Sequence, residues 1–281
     1  MTTKLRVSLF RESPLHAARR IGSSAAYSLK NNGLRNLMPY WRRCLAEFVH
    51  PRTELPDPER PFDGDARMGL VHDLSVRTLI AAYEHGLYPA GHFGKLAWLS
   101  PPERCVLFLE ETGIGKNVRR LMRQNRYRVT FDEAFERVVH ACARPRRKWF
   151  HVTWLTPRII RAYAALYDAG HVHSFEVWNE AGDLVGGGYG VALGSVFFTE
   201  SQFSLESNTS KYGFAVLNWH LNKWGYRLND GRNSTPTLLE AGFRVIPRST
   251  FQQQLARLIH SDRKQGRWRV EVDAAQCLSL A

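Results

Sequence analysis

Several features that would narrow the chemistry of this sequence are scarce or missing. Only four cysteines occur in 281 residues, Cys44, Cys105, Cys142 and Cys277. None forms a C-x-x-C pair or stands at zinc-ligand spacing from a histidine, so neither a disulfide framework nor a metal site is indicated. A reducing compartment, the cytoplasm, fits that usage. No run of about 18 apolar residues is present, and no apolar segment of signal-peptide length opens the chain, so stable membrane insertion is not expected. Acidic residues are also in short supply: 26 Asp and Glu stand against 39 Lys and Arg, a formal net charge of +13. That excess favours a polyanionic partner, because a positive surface concentrates phosphate and gains from counterion release. Nucleic acid, an anionic membrane surface and plain solubility would each account for it.

What is abundant is core-forming material. Hydrophobic residues make up 44% of the chain and aromatics 12%, enough for one large domain or two modest ones. Residues 1–64 read as a basic extension with a linker, since residues 1–60 hold eleven Lys/Arg against five Asp/Glu and end in Pro51, Pro56 and Pro58, with Pro61 just beyond. A short basic amphipathic helix over 37–48 fits either a surface contact or a solvated face. Residues 65–145 mix short helices and strands and read as a small N-terminal α/β domain. A helix over 74–85 stops at Gly86, with the aromatic loop 87–89 after it, and a second helix over 114–124 carries Lys116, Arg119, Arg120 and Arg123 largely on one face. Another basic cluster spans 144–149.

Residues 146–270 read more clearly as α/β. Thr156-Pro157 opens a helix that Gly170 ends. Strand-like runs at 171–178, 184–193 and 196–199 follow, separated by turn signals, as in an antiparallel meander. A helix over 210–224, capped by residues 208–210, a strand over 226–229, a short helix opened by Ser234-Thr235-Pro236 and closed by Gly242, and a strand over 244–246 complete it. The order is that of an acetyltransferase-like fold. Residues 271–281 read as a C-terminal tail, and the chain as a monomer.

Three polar groups fall at strand ends or helix starts of this domain: Glu200-Ser201-Gln202, residues 208–211, and Asp230-Gly231-Arg232. Such positions collect sites in α/β folds. Glu200 follows the apolar run 196–198, so its carboxylate needs a partner, either an internal Lys/Arg or an incoming cation. Asp230 fits either a reactive role or a simple cap on the following loop. An acyl-CoA enzyme of this fold requires a glycine-rich turn to hold pyrophosphate. The matching stretch, 204–210, has no glycine, and the glycines of 186–190 lie inside a strand, where they permit a bulge or close backbone approach.

The run Gly186-Gly187-Gly188-Tyr189-Gly190, then Phe197-Phe198, Glu200-Ser201, Phe203-Ser204, Asn208 and Ser210-Lys211, resembles the bacterial leucyl/phenylalanyl-tRNA protein transferase family. Asp230, Gly242, Ile246-Pro247-Arg248 and, earlier, Asp73-Leu74-Ser75, Gly86-Leu87-Tyr88-Pro89 and Trp98 extend the likeness over about 65–255. The resemblance implies an acetyltransferase-like (GNAT-like) catalytic domain that moves an amino acid from tRNA to the N-terminal Arg or Lys of a protein. Aminoacyl-tRNA would be the co-substrate, with no metal or other cofactor. It places Asp230 in the catalytic relay, Glu200 in the acceptor pocket, and Gly188, Gln202 and Phe203 in the aminoacyl pocket. Lys116, Arg119, Arg120 and Arg123 would meet the acceptor stem, and Trp98 and Trp154 would either stack on a terminal base or belong to the core.

The chain also departs from the family pattern. Arg232 stands where the family has glutamine, and it can donate but not relay a proton. It would stabilise an oxyanion or pair with Asp230. Gly188 and Gln202 replace bulky apolar residues, exchanging an apolar lining for space and an amide, which implies an altered donor amino acid or another amine acceptor. A CoA-dependent N-acyltransferase and a non-catalytic tRNA-binding relative are the two alternatives.

Overall fold

A computed structural model describes residues 54–62, 66–91, 96–144, 154–261 and 266–279, with 14, 17–18, 21–22, 38, 42–47 and 49–50 near the N-terminus. The basic cluster over 145–149 and most of the N-terminal extension lie outside these residues. The chain divides into two compact units, Met1–Pro102 with Ala143–Ala165, and Glu103–Cys142 with Leu166–Ala281.

The first unit contains strands β1 (Arg67–Leu70), β2 (Tyr88–Ala90) and β3 (Ala97–Leu99) in an antiparallel sheet of order β1-β3-β2. Helix α1 (Val76–Glu84) starts where the Ser75 side chain accepts from the Thr78 N–H. Asp73 holds that cap in turn, accepting from Ser75 N at 2.9 Å and Ser75 Oγ at 2.6 Å, and hydrogen bonds from Ser75 and Thr78 pull its carboxyl below the usual range. Gly86 ends the helix at φ 72°, which suits a residue without Cβ. Residues 88–90, expected as a loop, form β2, because Tyr88, Pro89 and Ala90 pair with β3. Residues 42–47 are helical, and the buried Glu47 of that segment meets His72 Nε2 at 2.7 Å.

The second unit holds strands β4 (Glu103–Phe108), β5 (Arg128–Phe131), β6 (Val172–Trp178), β7 (Leu184–Leu193), β8 (Val196–Ser204), β9 (Leu228–Asp230) and β10 (Arg244–Pro247). Their order is β10-β4-β9-β8-β7-β6-β5. All neighbours are antiparallel except β8 and β9. The compact units therefore follow strand pairing rather than sequence. Residues 103–142, expected in a domain over 65–145, join the C-terminal strands because β4 lies between β9 and β10 while β5 pairs with β6.

Helices α2 (Lys116–Gln124), α3 (Phe135–Ala143), α4 (Pro157–Asp168), α5 (Thr209–Lys223), α6 (Pro236–Glu240), α7 (Arg248–Leu258) and α8 (Ala274–Ser279) complete the described elements. The segment expected as a C-terminal tail thus includes a folded helix, with Ala274 and Cys277 buried. Alternation along β7 separates the two faces. A Cβ on Gly186 would meet Thr209 of α5, whereas one on Gly187 would meet Val138 of α3. Gly213 of α5 answers the β7 glycines, since a Cβ there would lie 2.5 Å from Val177 Cγ2. Gly186 and Gly213 thus let helix and sheet approach closely, one of the two roles the sequence left open for the β7 glycines. Phe175, Phe214, Tyr212 and Trp268 fill the core on that face.

Candidate active site

Strands β8 and β9 run parallel but pair over only three positions, Val196 with Leu228, Phe197 with Asn229 and Phe198 with Asp230. β8 then continues to Ser204 while the chain leaves β9 at Asp230. The result is a crevice at the carboxyl end of a parallel pair, the usual position of sites in such sheets. The strand expected over 196–199 is thus longer, and Glu200 lies within it. On the other side of β8 the register slips between Tyr189 and Gly190, so that Tyr189 faces Ser201 and Gly190 faces Thr199. Glu200 is the extra residue of a β-bulge, a device that re-aims a side chain.

The bulge brings Glu200 to Arg232, whose guanidinium Nη2 donates to Glu200 Oε1. The Glu200 side chain is 0% exposed and that of Arg232 10%. Arg232 has a left-handed backbone, φ 65°, uncommon for a residue with a side chain. The Asp230 carboxylate fixes it there, with Oδ1 accepting from the Arg232 N–H at 2.8 Å, an Asx turn. Asp230 therefore caps the following loop, one of the two roles open to it in the sequence. The same carboxylate accepts from Arg104 Nε at 3.0 and 3.1 Å and from Arg104 Nη2 at 2.7 Å. Arg232 thus salt-bridges Glu200, not Asp230, and the partner of Asp230 is Arg104.

Sequence reasoning missed Arg104. Its signal was an arginine preceding the apolar run 105–108, easily taken for the exposed start of a strand. Instead it is 1% exposed, and its guanidinium carbon sits 4.3 Å from the centre of the Phe251 ring of α7, a favourable cation–π position. Beside it, burial and the Asp230 charge push the Cys105 thiol up to about 11, so this cysteine is no nucleophile at neutral pH.

On the opposite face of these strands a neutral polar chain forms. Thr199 Oγ1 donates to Asn229 Oδ1 at 2.8 Å, and Asn229 Nδ2 donates to Asn218 Oδ1 of α5 at 2.7 Å. The first turn of α5 is held differently from expectation. Asn208 is left-handed and makes no side-chain cap bond. Ser204 of β8 supplies the acceptor for the Ser210 N–H at 3.0 Å, and Thr209 Oγ1 donates to the Val185 carbonyl at 2.9 Å.

Other expected site residues are dispersed. A Cβ on Gly188 would lie 2.7 Å from Phe175 Cε1 and the Ser201 carbonyl and 2.8 Å from Gln202 Cγ, so this glycine does not leave space. The Phe203 ring lies near Gly187, on the opposite face from Gly188, so Gly188 and Phe203 do not line one pocket. Lys116, Arg119, Arg120 and Arg123 are all exposed on α2, whose Val118 and Met122 are buried. In the first unit, Trp98 is 3% exposed and so offers no ring face to a base; of its two roles, burial in the core holds. Trp154 is partly exposed and meets Tyr163 edge to face at 6.0 Å. Among the described residues, no group of three or more His, Cys, Asp or Glu is placed to hold a metal ion, and no helix is long and apolar enough to cross a membrane.

The family model for leucyl/phenylalanyl-tRNA protein transferase matches residues 106–256, more than half of the chain. The chain belongs to that family. A leucyl/phenylalanyl-tRNA–protein transferase of Pseudomonas syringae pv. syringae is 47% identical over 186 residues, 66% of this chain and 80% of the relative. The protein of the same name from Nitrosospira multiformis is 42% identical over 197 residues, 70% and 84% of the two chains. A solved structure, L-PGS from Bacillus licheniformis, gives a TM-score of 0.36 at 11% identity, covering 57% of this chain and 66% of that one. That likeness is too low to bear on the fold. Glu200, Asp230 and Arg232 fall inside the segment that matches the family, and Arg104 lies two residues before it.

Proposed function

We propose that this protein is an aminoacyltransferase that moves an amino acid from a charged tRNA to the α-amine of a protein or peptide, with the second unit as an acetyltransferase-like catalytic domain. By resemblance the acceptor carries N-terminal Arg or Lys. Family membership supports the reaction class, and the observation that carries the site is the meeting of Glu200, Asp230 and Arg232 at the crevice between β8 and β9.

The ester of an aminoacyl-tRNA is already activated, so the protein's task is to position the uncharged amine against the carbonyl and manage protons. The amine nitrogen bonds to the ester carbon and the bond from that carbon to the ribose oxygen breaks. One proton leaves the nitrogen and one is taken up by the ribose oxygen. Asp230 has both oxygens engaged by Arg104 and by the Arg232 N–H. Its role is therefore to position Arg232 and the loop, not to touch the reacting atoms. Arg232 stays charged and donates only. Besides its bond to Glu200, it would stabilise negative charge on the carbonyl oxygen as the amine attacks. The exposed α2 cations would hold the acceptor stem.

Aminoacyl-tRNA would serve as co-substrate without a further cofactor, in the cytoplasm. The acyl-CoA alternative is disfavoured because the Ser210 N–H, a donor that a pyrophosphate at this helix start would need, is taken by Ser204. A tRNA-binding relative without turnover draws support from the engaged state of Asp230. The test supplies the purified full chain with total tRNA charged with labelled amino acids and peptides differing only in their first residue. RNase-sensitive mass gain on a peptide is expected. Binding of charged tRNA with no gain on any peptide would select the non-catalytic alternative.

A further inference from the structure

Little in the sequence of α2 holds it as a helix. It spans nine residues, and helices shorter than about 12–15 residues are marginal in water on their own. Gly115 offers no side-chain cap and the first turn has no acidic residue, while Lys116 opposes the helix dipole there. Lys116, Arg119, Arg120 and Arg123 stand three and four apart and repel one another. The helix therefore depends on what packs beneath Val118 and Met122.

That support is the end of the chain. Helix α8 packs against α2 and α5, and its Ala274 and Cys277 share one buried cluster with Val118 and Met122. Reciprocal bonds hold the start of α8: the Gln276 N–H donates to Asp273 Oδ1 at 2.8 Å and the Asp273 N–H to Gln276 Oε1 at 2.9 Å. Burial and the Asp273 charge push the Cys277 thiol up to about 12, so it packs as a neutral, apolar group.

The same segment is anchored at the far end of β5. Asp132, which follows β5 with a left-handed φ of 57°, accepts from the Trp268 N–H at 2.8 Å and the Ser174 N–H at 2.9 Å, and meets His173 Nδ1 at 2.7 Å. The Trp268 ring, fully buried, stacks on His173 at 3.7 Å. Midway, Glu271 is tied to α5, accepting from Trp224 Nε1 at 2.8 Å and donating its N–H to His220 Nε2 at 3.1 Å. One segment thus grips α2 and the end of the strand that follows it. It lies beyond residue 256, where the family match ends.

We propose that residues 267–279 form a strap that positions α2 for tRNA, so that Trp268 and Cys277 are positioning residues that set affinity for the acceptor stem without entering the transfer step. The inference rests on the reading of α2 as the acceptor-stem contact and names what holds that contact in place.

The experiment uses the full chain and three measurements: binding of uncharged tRNA by fluorescence anisotropy at two salt concentrations, transfer from phenylalanyl-adenosine to a peptide with N-terminal Arg, and amide hydrogen exchange. Cys277→Asp, which puts a carboxylate beneath α2, should weaken tRNA binding at least tenfold with a shallower salt dependence. It should speed exchange over residues 116–124 at least tenfold and leave β6, β7 and β8 as protected as in the native protein. Its rate with saturating phenylalanyl-adenosine, which has no acceptor stem, should stay within twofold of native. Cys277→Ala, which keeps a small apolar side chain there, should bind tRNA within twofold of native. Asp132→Asn weakens the other anchor and should lower tRNA affinity at least threefold, which keeps the test available if Cys277→Asp does not fold. Native tRNA affinity in a folded C277D or D132N, or an equal loss of tRNA binding and of phenylalanyl-adenosine transfer, overturns the proposal. R119A/R123A separates the two readings: native tRNA affinity in that variant refutes the reading of α2 itself, and the exchange measurement then decides whether the strap holds the helix.

Discussion

The two faces of the β7–β9 region differ in how they meet their neighbours. Toward α5 the sheet is glycine, aromatic and neutral polar: Gly186 admits Thr209 of the helix, Gly188 and Gly190 admit the rings of Phe175 and Phe197, and Thr199, Asn229 and Asn218 close a hydrogen-bonded chain. At the mouth of the β8–β9 crevice, Glu200 of β8 and Asp230 of β9 pair with two arginines, Arg232 of the loop after β9 and Arg104 of β4. The first face has no slack, because a Cβ on Gly190 would sit 2.4 Å from the Phe198 carbonyl. The second holds charges that a purely structural solution would replace by hydrophobic residues at little or no loss of stability. Packing explains the one, and chemistry is the economical explanation of the other.

Substitutions can break this comparison, beginning with the largest effect. Asp230→Ala should cost about 3–5 kcal/mol in urea unfolding, because it removes the carboxylate that pairs with the buried Arg104. Gly190→Ala should cost on the order of 3 kcal/mol, since the backbone carbonyl it meets cannot rotate away. Both act through the fold, so neither variant separates face from face by itself. Arg232→Lys does, because it should leave the unfolding midpoint nearly unchanged while changing transfer rate. A smaller effect belongs to Ser204→Ala, which removes the acceptor for the Ser210 N–H and should cost about 1 kcal/mol.

A pH measurement sharpens the contrast between buried carboxylates. Glu176, on β6, is 0% exposed and accepts from Thr130 Oγ1 at 2.6 Å and Ser174 Oγ at 2.5 Å. Burial outweighs those bonds and raises its carboxyl to about 7. The folded state then binds this proton more tightly than the unfolded chain. The stabilisation is fully present below about pH 4.5 and is lost as pH rises through about 7. At roughly 1.4 kcal/mol per unit, the decline over that window is about 3 kcal/mol. Glu176→Gln should flatten it, as read from urea midpoints at pH 5 and pH 8. At the crevice mouth, by contrast, each carboxylate meets a guanidinium.

Much of this arrangement was legible in the sequence, and the exceptions share a cause. The β6–β7–β8 meander and helices α4 and α5 were readable because alternation, proline at a helix start and terminal glycines are local signals. The helix under the basic side chains of α2 was readable for the same reason. The placement of β4 in the C-terminal sheet was not, because strand pairing across more than a hundred residues leaves no local mark. That pairing carries Arg104 to Asp230, so the partner of the candidate relay was hidden with it. The bulge at Glu200 depends on a register slip against β7, which alternation alone cannot show. Gly188 misled for a related reason: a glycine leaves space only if neighbours do not fill it, and Phe175 and Gln202 do.

The most direct test measures RNase-sensitive transfer of labelled amino acid to peptides by native protein and by Glu200→Gln, together with the unfolding midpoint of each. The account requires transfer by the native protein, at least a tenfold change in rate or acceptor pattern in E200Q, and a similar midpoint. Unchanged rate and pattern in a folded E200Q protein would contradict the assignment of the crevice between β8 and β9 as the site of acceptor chemistry.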